Sequence, residues 1–148
     1  MPYGAPPSKP LDETQRSSKE IAMSEPAPQP QGAVVWADLT VPDAEATRDF
    51  YAEVVGWQIK AHAMGDYDDY ELLAADGRSV AGVCHARGSN ADMPRQWLLY
   101  VVVDSAAAAA ERCRAAGGEV VTGPRPMGDQ QIVVVKDPAG AMLALVSD

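Results

Sequence analysis

The stretch VVWADLTVPDAEATRDFY, residues 34–51, predicts a β-strand followed by an α-helix. Its first half alternates and is rich in β-branched residues, as strands are, and a Pro-Asp pair ends it. Asp43 is a suitable N-cap for the helix that follows. Because Ala46, Phe50 and Val54 recur at helical spacing, they predict an apolar stripe along this helix, with Ala44 and Tyr51 as two further candidates for it.

A second stretch, WLLYVVVDSAAAAAERCRAAGG, repeats this order from Trp97 onward. Adding 61 to the residue number maps Trp36 onto Trp97 and Asp43 onto Asp104. Either Asp104 or Ser105 is then the N-cap of the second helix. The alanine run between them and the glycines is typical of a helix packed closely on a sheet.

The remaining segments of both halves predict strands, so the chain contains a βαβββ unit twice, over residues 32–88 and 95–148. A repeat of this length indicates duplication of a supersecondary unit. One such unit would leave a face of its sheet uncovered, so two are needed to enclose a core or a cavity. The sequence therefore predicts an α+β domain over residues 32–148.

Residues 1–31 have a different composition, because they hold seven of the 12 prolines and few large aliphatic residues. Such a segment buries too little apolar surface to offset the entropy of ordering it. We predict a disordered tail. The sequence MSEPAPQPQG from Met23 is also a suitable start, which leaves open whether residues 1–22 belong to the native protein.

The composition of the 148 residues excludes several classes of function. The formal net charge is −9, from 12 basic and 21 acidic residues, which disfavours binding to nucleic acid or to an anionic membrane. No apolar run approaches the ~20 residues of a membrane span, and no secretory signal is evident. Two cysteines form no disulfide framework, so we expect reduced, buried thiols in a cytoplasmic protein.

Two motifs stand in a characteristic order: D-x6-F-Y-x4-G-W from Asp43, and DPAG at residues 137–140. Together with the duplicated unit, they resemble the vicinal oxygen chelate superfamily, which includes glyoxalases, extradiol dioxygenases and bleomycin resistance proteins. The resemblance covers residues 32–148. It implies an eight-stranded sheet that forms two cups with the helices outside, a ligand between the cups, and a homodimer.

The same resemblance bears on metal binding. Metal-using members carry a histidine on the first strand of each unit and a glutamate on the last. Carried onto this chain, these positions are Trp36, Trp97, Ala144 and the segment 81–83, none of which offers a metal ligand. We therefore expect no metal and no other cofactor.

Strand alternation predicts which side chains share the face of the two tryptophans. The predicted ligand-binding residues are Trp36, Asp38, Thr40, Trp97, Leu99, Val101, Met142 and Ala144. They indicate an apolar pocket with one carboxylate, suited to a hydrophobic or aromatic small molecule. Alternatively, the tryptophans fill a core and Asp38 makes a structural hydrogen bond.

Three functions remain open. The first is metal-independent binding of such a molecule, as in antibiotic-resistance members of the superfamily that sequester a drug. The second is a metal-free isomerase, cyclase or lyase that uses Asp38 as its acid or base. The third is a structural or regulatory dimer whose cup is filled by its own side chains.

Overall fold

The computed structural model describes residues 29–148. The predicted tail over residues 1–31 therefore lies almost entirely outside the described residues. Residues 29–33 form no helix or strand. The backbone N–H of Gly32 donates to the carbonyl of Val102 at 2.8 Å, which fixes the entry of the chain into the domain.

Both predicted βαβββ units are present. The first contains β1 (Val34–Val41), α1 (Ala44–Val55), β2 (Gln58–Ala63), β3 (Asp68–Leu73) and β4 (Ser79–His85). A short 3-10 turn (Gly88–Asn90) leads to the second unit. That unit contains β5 (Trp97–Val102), α2 (Ala106–Ala115), β6 (Glu119–Met127), β7 (Gln130–Lys136) and β8 (Met142–Ser147). No helix within residues 29–148 is both long and apolar enough to cross a bilayer.

The eight strands form one mixed sheet in the order β2-β3-β4-β1-β5-β8-β7-β6. The units meet at its centre, where β1 pairs antiparallel with β5. Within each unit the first strand pairs parallel with the last, β1 with β4 and β5 with β8. This arrangement confirms the predicted α+β fold.

A helix covers one face of each unit. Ala44 of α1 is buried with Leu72 and Val83 of the first unit. Ala106 and Ala110 of α2 are buried with Val133 and Val135 of the second. Small residues on the inner side let each helix approach its sheet closely, so the opposite, concave face of the sheet is left for a cavity.

The three main residues of the stripe predicted on α1 face away from the sheet. Phe50 and Val54 are 57% and 62% exposed, and Ala46 is exposed as well. The helix packs instead through the two further candidates, Ala44, which is fully buried, and Tyr51. Periodicity identified an apolar stripe, but the contact that orients the helix lies about one third of a turn away from it.

The two helix N-termini establish how the units correspond. Asp43 caps α1 and Ser105 caps α2, each by accepting a hydrogen bond from the backbone N–H three residues later. The equivalent of Asp43 is therefore Ser105, an offset of 62 rather than the predicted 61. The helix α2 has 10 residues where α1 has 12, and its C-cap is Ala116, so Gly117 is the second residue after its helix whereas Gly56 is the first. The two glycines are therefore separated by 61, although the helices begin with an offset of 62.

The faces of the strands agree with this offset. Across β1 and β5, Trp36 pairs with Tyr100 and Asp38 pairs with Leu98, so these four side chains share one face of the sheet. An offset of 62 makes Leu98 the equivalent of Trp36 and Tyr100 the equivalent of Asp38, whereas an offset of 61 would place the equivalents on opposite faces. A shift of one residue along a strand turns every side chain to the other face of the sheet.

Candidate functional site

A cavity of about 970 Å³ lies on the concave face of the sheet, between the two units. Side chains from the four central strands line its floor: Trp36, Asp38, Cys84, Tyr100, Val102 and Val146. The volume is at the upper end of the range for sites that take drug-sized ligands, roughly 300–1,000 Å³. Gln29 and Gln31, which precede β1, also line it.

The structure places the predicted residues of β1 on the cavity face of the sheet. Trp36 and Asp38 line the cavity, as alternation predicts. Thr40 is buried, at 4% exposure, opposite Cys84 on the neighbouring strand. It does not line the cavity, so it supports the floor rather than contacting a ligand.

The predicted residues of β5 lie on the opposite face, so Trp97, Leu99 and Val101 do not line the cavity. The indole N–H of Trp97 donates to the hydroxyl of Tyr51 on α1 at 3.0 Å, and its ring packs 6.0 Å from that of Trp57. Leu99 is 48% exposed. The offset of 61 caused this error, because it shifted β5 by one residue.

Leu98, Tyr100 and Val102 take their place on the inner face. Leu98 and Tyr100 are 2% and 7% exposed, and they pack in one cluster with Met142 and Ala144. Met142 and Ala144 therefore lie on the predicted side of β8, but in the core beneath the cavity wall. The signal that would have found Tyr100 is the Ser105 cap, from which the strand can be counted backward.

Asp38 is the best-connected polar group of the floor. Its carboxylate accepts from the indole N–H of Trp36 at 3.3 Å and from the thiol of Cys84 at 3.3 Å. The Tyr100 hydroxyl is close enough to interact with it as well. Burial raises the pKa of the Asp38 carboxyl, with a further contribution from the Asp69 charge, while the hydrogen bonds from Cys84 and Trp36 oppose that rise.

The neighbours of Asp38 are held protonated. Burial, and then the Asp38 carboxylate, raise the pKa of the Cys84 thiol and of the Tyr100 hydroxyl well above their usual ranges. Cys84 is therefore a hydrogen-bond donor and not a reactive thiolate. Both cysteines are half-buried, and not fully buried as the sequence predicted. Two more carboxylates line the cavity from β3, Asp69 and Glu71, and sequence reasoning missed both.

The residues at the family's metal positions do not fit a metal. With the offset of 62, these positions are Trp36, Leu98, Gly82 and Ala144, and none of these side chains offers a metal-binding lone pair. Within residues 29–148 no group of three or more His, Cys, Asp or Glu side chains is arranged to hold a metal ion. Leu98, and not Trp97, therefore stands at the second histidine position. None of the four positions carries a metal-binding side chain.

Comparison with known proteins agrees with this architecture. The model of the glyoxalase/bleomycin resistance protein/dioxygenase superfamily matches residues 33–145, and the chain belongs to this superfamily. A member of the superfamily from Vibrio splendidus 12B01 has a similar structure, with a TM-score of 0.53 over 80% of this chain and 100% of that one. At 14% identity, that similarity shows the fold alone.

Two curated relatives come from antibiotic-producing streptomycetes. The chain is 34% identical over 127 residues to the anthracycline biosynthesis protein DnrV of Streptomyces peucetius. It is 32% identical over 127 residues to the anthracycline biosynthesis protein DauV of Streptomyces sp. (strain C5). In both cases the match covers 77% of this chain and 46% of the relative, so the chain spans less than half of their length.

Proposed function

We propose that this protein binds a flat, polycyclic aromatic small molecule in the cavity between its two units, without a metal. The observation that carries the proposal is the cavity of about 970 Å³ with the Trp36 ring and the Asp38 carboxylate on its floor. An indole face supports an aromatic ring by offset stacking, and a carboxylate on the cavity floor orients the ligand through its donors.

Two further facts support an aromatic ligand. The relatives in Streptomyces are named for anthracycline biosynthesis, and anthracyclines are built on a polycyclic aromatic quinone. The cavity floor also combines apolar side chains, Val102 and Val146, with hydrogen-bonding groups concentrated around Asp38. Sequestration of such a molecule would leave it chemically unchanged.

The test compares the two tryptophans, one inside the cavity and one outside it. Quinizarin, a hydroxylated anthraquinone, is titrated into the wild type and into Trp36→Ala and Trp97→Ala, at a temperature where all three are folded. Losing one stacking contact of ~1.4 kcal/mol weakens binding about tenfold. We expect that loss for Trp36→Ala and an affinity within about twofold of wild type for Trp97→Ala.

Equal losses in the two variants, or no binding by the wild type, would contradict the proposal. Native mass spectrometry of the purified protein supplies an independent check, because a co-purified aromatic compound would identify the ligand class directly. Elemental analysis after chelator treatment tests the metal-free part: one equivalent of a divalent metal per chain would refute it.

A second candidate function is a metal-free isomerase, cyclase or lyase with Asp38 as the acid or base. The observation that favours it is the raised pKa of Asp38 in a buried site that opens onto the cavity. On this reading Asp38→Asn retains the ligand but no longer converts it. Mass spectrometry of the ligand after incubation separates the two: an unchanged ligand with wild-type protein supports binding alone.

We also propose a homodimer. Phe50, Val54 and Leu99 expose apolar surface on the outer side of the domain, at 57%, 62% and 48%. The chain corresponds to less than half of its curated relatives, so a second copy would supply a matching second half. Light scattering is expected to give twice the chain mass of 15.7 kDa, and a monomeric mass at micromolar concentration would contradict this.

A further inference from the structure

The acidic and basic side chains of the protein are distributed unequally around the cavity. No lysine or arginine of residues 29–148 lines it, whereas five carboxylates do: Asp38, Asp69, Glu71, Asp104 and Asp148. A concave surface lined by one sign of charge focuses its field and attracts ligands of the opposite sign. The cavity therefore favours a cation over a neutral or an anionic molecule of the same shape.

Two of these carboxylates flank a glycine on the floor of the first unit. Asp38 on β1 pairs with Gly82 on β4, and Glu71 on β3 pairs with the same glycine from the other side. All three residues line the cavity. Because neighbouring strands are ~4.8 Å apart, the Cα atoms of the two acids are about 10 Å apart, and the residue between them has no side chain.

The Asp38 carboxylate leans into this space. A Cβ on Gly82 would overlap its Oδ1, so the carboxylate lies above the glycine, on the side of β1 that faces Glu71. Asp69, two residues before Glu71 on β3, is close enough for its charge to act on Asp38. Negative charge thus converges on the space above β4.

Neither flanking carboxylate has a close cation of its own. Asp38 accepts from two uncharged donors, Trp36 and Cys84, and no lysine or arginine nitrogen of residues 29–148 lies within 4.0 Å of it. The ammonium of Lys60 lies 4.0 Å from Oε2 of Glu71, and the Lys60 side chain is 66% exposed. Partly buried charges of one sign repel one another and lose hydration, and a cation bound between them relieves both costs.

We infer that the aromatic ligand of the cavity carries a protonated amine, and that Asp38 and Glu71 hold this group above Gly82. The inference rests on the proposed binding of an aromatic molecule and specifies the charge of its substituent. An ammonium group has N–H donors and no acceptor, so carboxylates on two sides suit it. The indole N–H of Trp36 donates to Asp38, which places the stacking surface directly beside the ammonium site.

Three probes that share a naphthalene ring test the charge: naphthylmethylamine, naphthylmethanol and naphthoate, all substituted at the same ring carbon. They are titrated by calorimetry at neutral pH into protein treated with chelator, so that no metal ion competes for the carboxylates. The wild type should bind the amine most tightly and naphthoate most weakly. We expect the amine to bind at least about tenfold more tightly than the alcohol.

Two variants that each remove one negative charge show where that charge acts. Glu71→Gln removes it from the cavity, and the control Glu53→Gln removes it from an exposed position on α1 outside the cavity. For Glu71→Gln we expect the affinity for the amine to fall about fivefold and that for the alcohol to stay within about twofold, since Glu71 is only partly buried. Glu53→Gln should leave both affinities within about twofold of wild type.

Asp38→Asn is the second cavity variant, because it keeps the shape of the side chain and an acceptor for the Trp36 N–H. The amine should lose about tenfold or more in affinity there, since this carboxylate is the more buried of the two. Equal losses for amine and alcohol in both cavity variants, or equal losses in Glu71→Gln and Glu53→Gln, would overturn the inference. A wild type that binds the alcohol as tightly as the amine would overturn it and leave the proposed function standing, whereas a wild type that binds neither quinizarin nor any of these probes would refute the proposed function itself.

Discussion

The two units have the same fold, but the side chains on their concave faces differ in polarity and in burial. At equivalent positions the first unit carries Trp36, Asp38, Glu71, Gly82 and Cys84, and the second carries Leu98, Tyr100, Val134, Ala144 and Val146. Apart from the Trp36 ring, the first set, which we call the first wall, is polar or small, and it is mostly half-buried. The second set, which we call the second wall, is hydrophobic apart from the Tyr100 hydroxyl, and every member is at most 7% exposed.

This difference shows that the two copies of a duplicated unit contribute differently, one to packing and the other to the cavity. Aliphatic side chains on the second wall interdigitate and hold the sheet together, whereas the first wall leaves space and concentrates its hydrogen-bonding groups around Asp38. Gly82 is part of that arrangement, since a Cβ there would overlap Oδ1 of Asp38 and lie 3.4 Å from the Trp36 ring. The equivalent Ala144 carries the Cβ that the first wall excludes.

The largest loss of stability is expected from truncating a buried side chain of the second wall. Leu98→Ala should lower the free energy of unfolding by about 2–5 kcal/mol, because it leaves a cavity in the core. Its equivalent Trp36→Ala should cost less than about 2 kcal/mol, because the ring already borders open space. Urea titrations of both variants measure the difference, and Leu99→Ala, on the exposed face of the same strand, is the control. A greater loss for Trp36→Ala would make that ring a core residue.

The next largest loss of stability is expected from giving the first wall the Cβ that Ala144 carries in the second wall. Gly82→Ala introduces a Cβ that displaces the Asp38 carboxylate from Trp36 and Cys84, at a cost of about 1–3 kcal/mol. Shortening Asp38 to alanine in the same chain removes the clash. A double-mutant cycle should therefore show that Gly82→Ala is nearly neutral in the Asp38→Ala background. Additive effects would mean that the clash involves some other atom.

The pH dependence of stability tests the environment of Asp38. Burial raises the folded-state pKa, so as pH rises the unfolded state ionises first and the folded state binds more protons. Asp38 therefore lowers stability as pH rises from its usual pKa of ~3.9 to the raised folded-state pKa, and the loss is complete above that.

Asp38→Asn removes this penalty and keeps an acceptor for the Trp36 N–H. At neutral pH the variant should be more stable than wild type, by about 1.4 kcal/mol for each unit by which the folded-state pKa is raised. The gap should close as pH falls below about 4. Urea titrations at neutral and acid pH measure it, and a variant that is less stable at neutral pH would show that the hydrogen bonds of the carboxylate outweigh its burial.

The sequence predicts the cavity-facing side of some strands and not of others. Alternation placed Trp36 and Asp38 correctly, because the boundary of β1 is marked by its own Pro-Asp pair. It failed on β5, where a tryptophan that belongs to the outer face happens to recur 61 residues after Trp36. The acidic residues of β3 required knowledge of which strand lies beside β4.

The smallest expected loss of stability tests the offset of 62, on which the comparison of the two units depends. If the units correspond with an offset of 62, Ser105 is the equivalent of Asp43, and Ser105→Ala should destabilise the protein by about 1 kcal/mol, as the loss of a helix cap usually does. Asp104→Ala should leave the unfolding midpoint almost unchanged, because that exposed carboxylate pairs with Arg112 at the surface. Chemical denaturation resolves the two variants. The reverse order would restore Asp104 as the cap, return the offset to 61, and remove the argument that Tyr100 is the equivalent of Asp38.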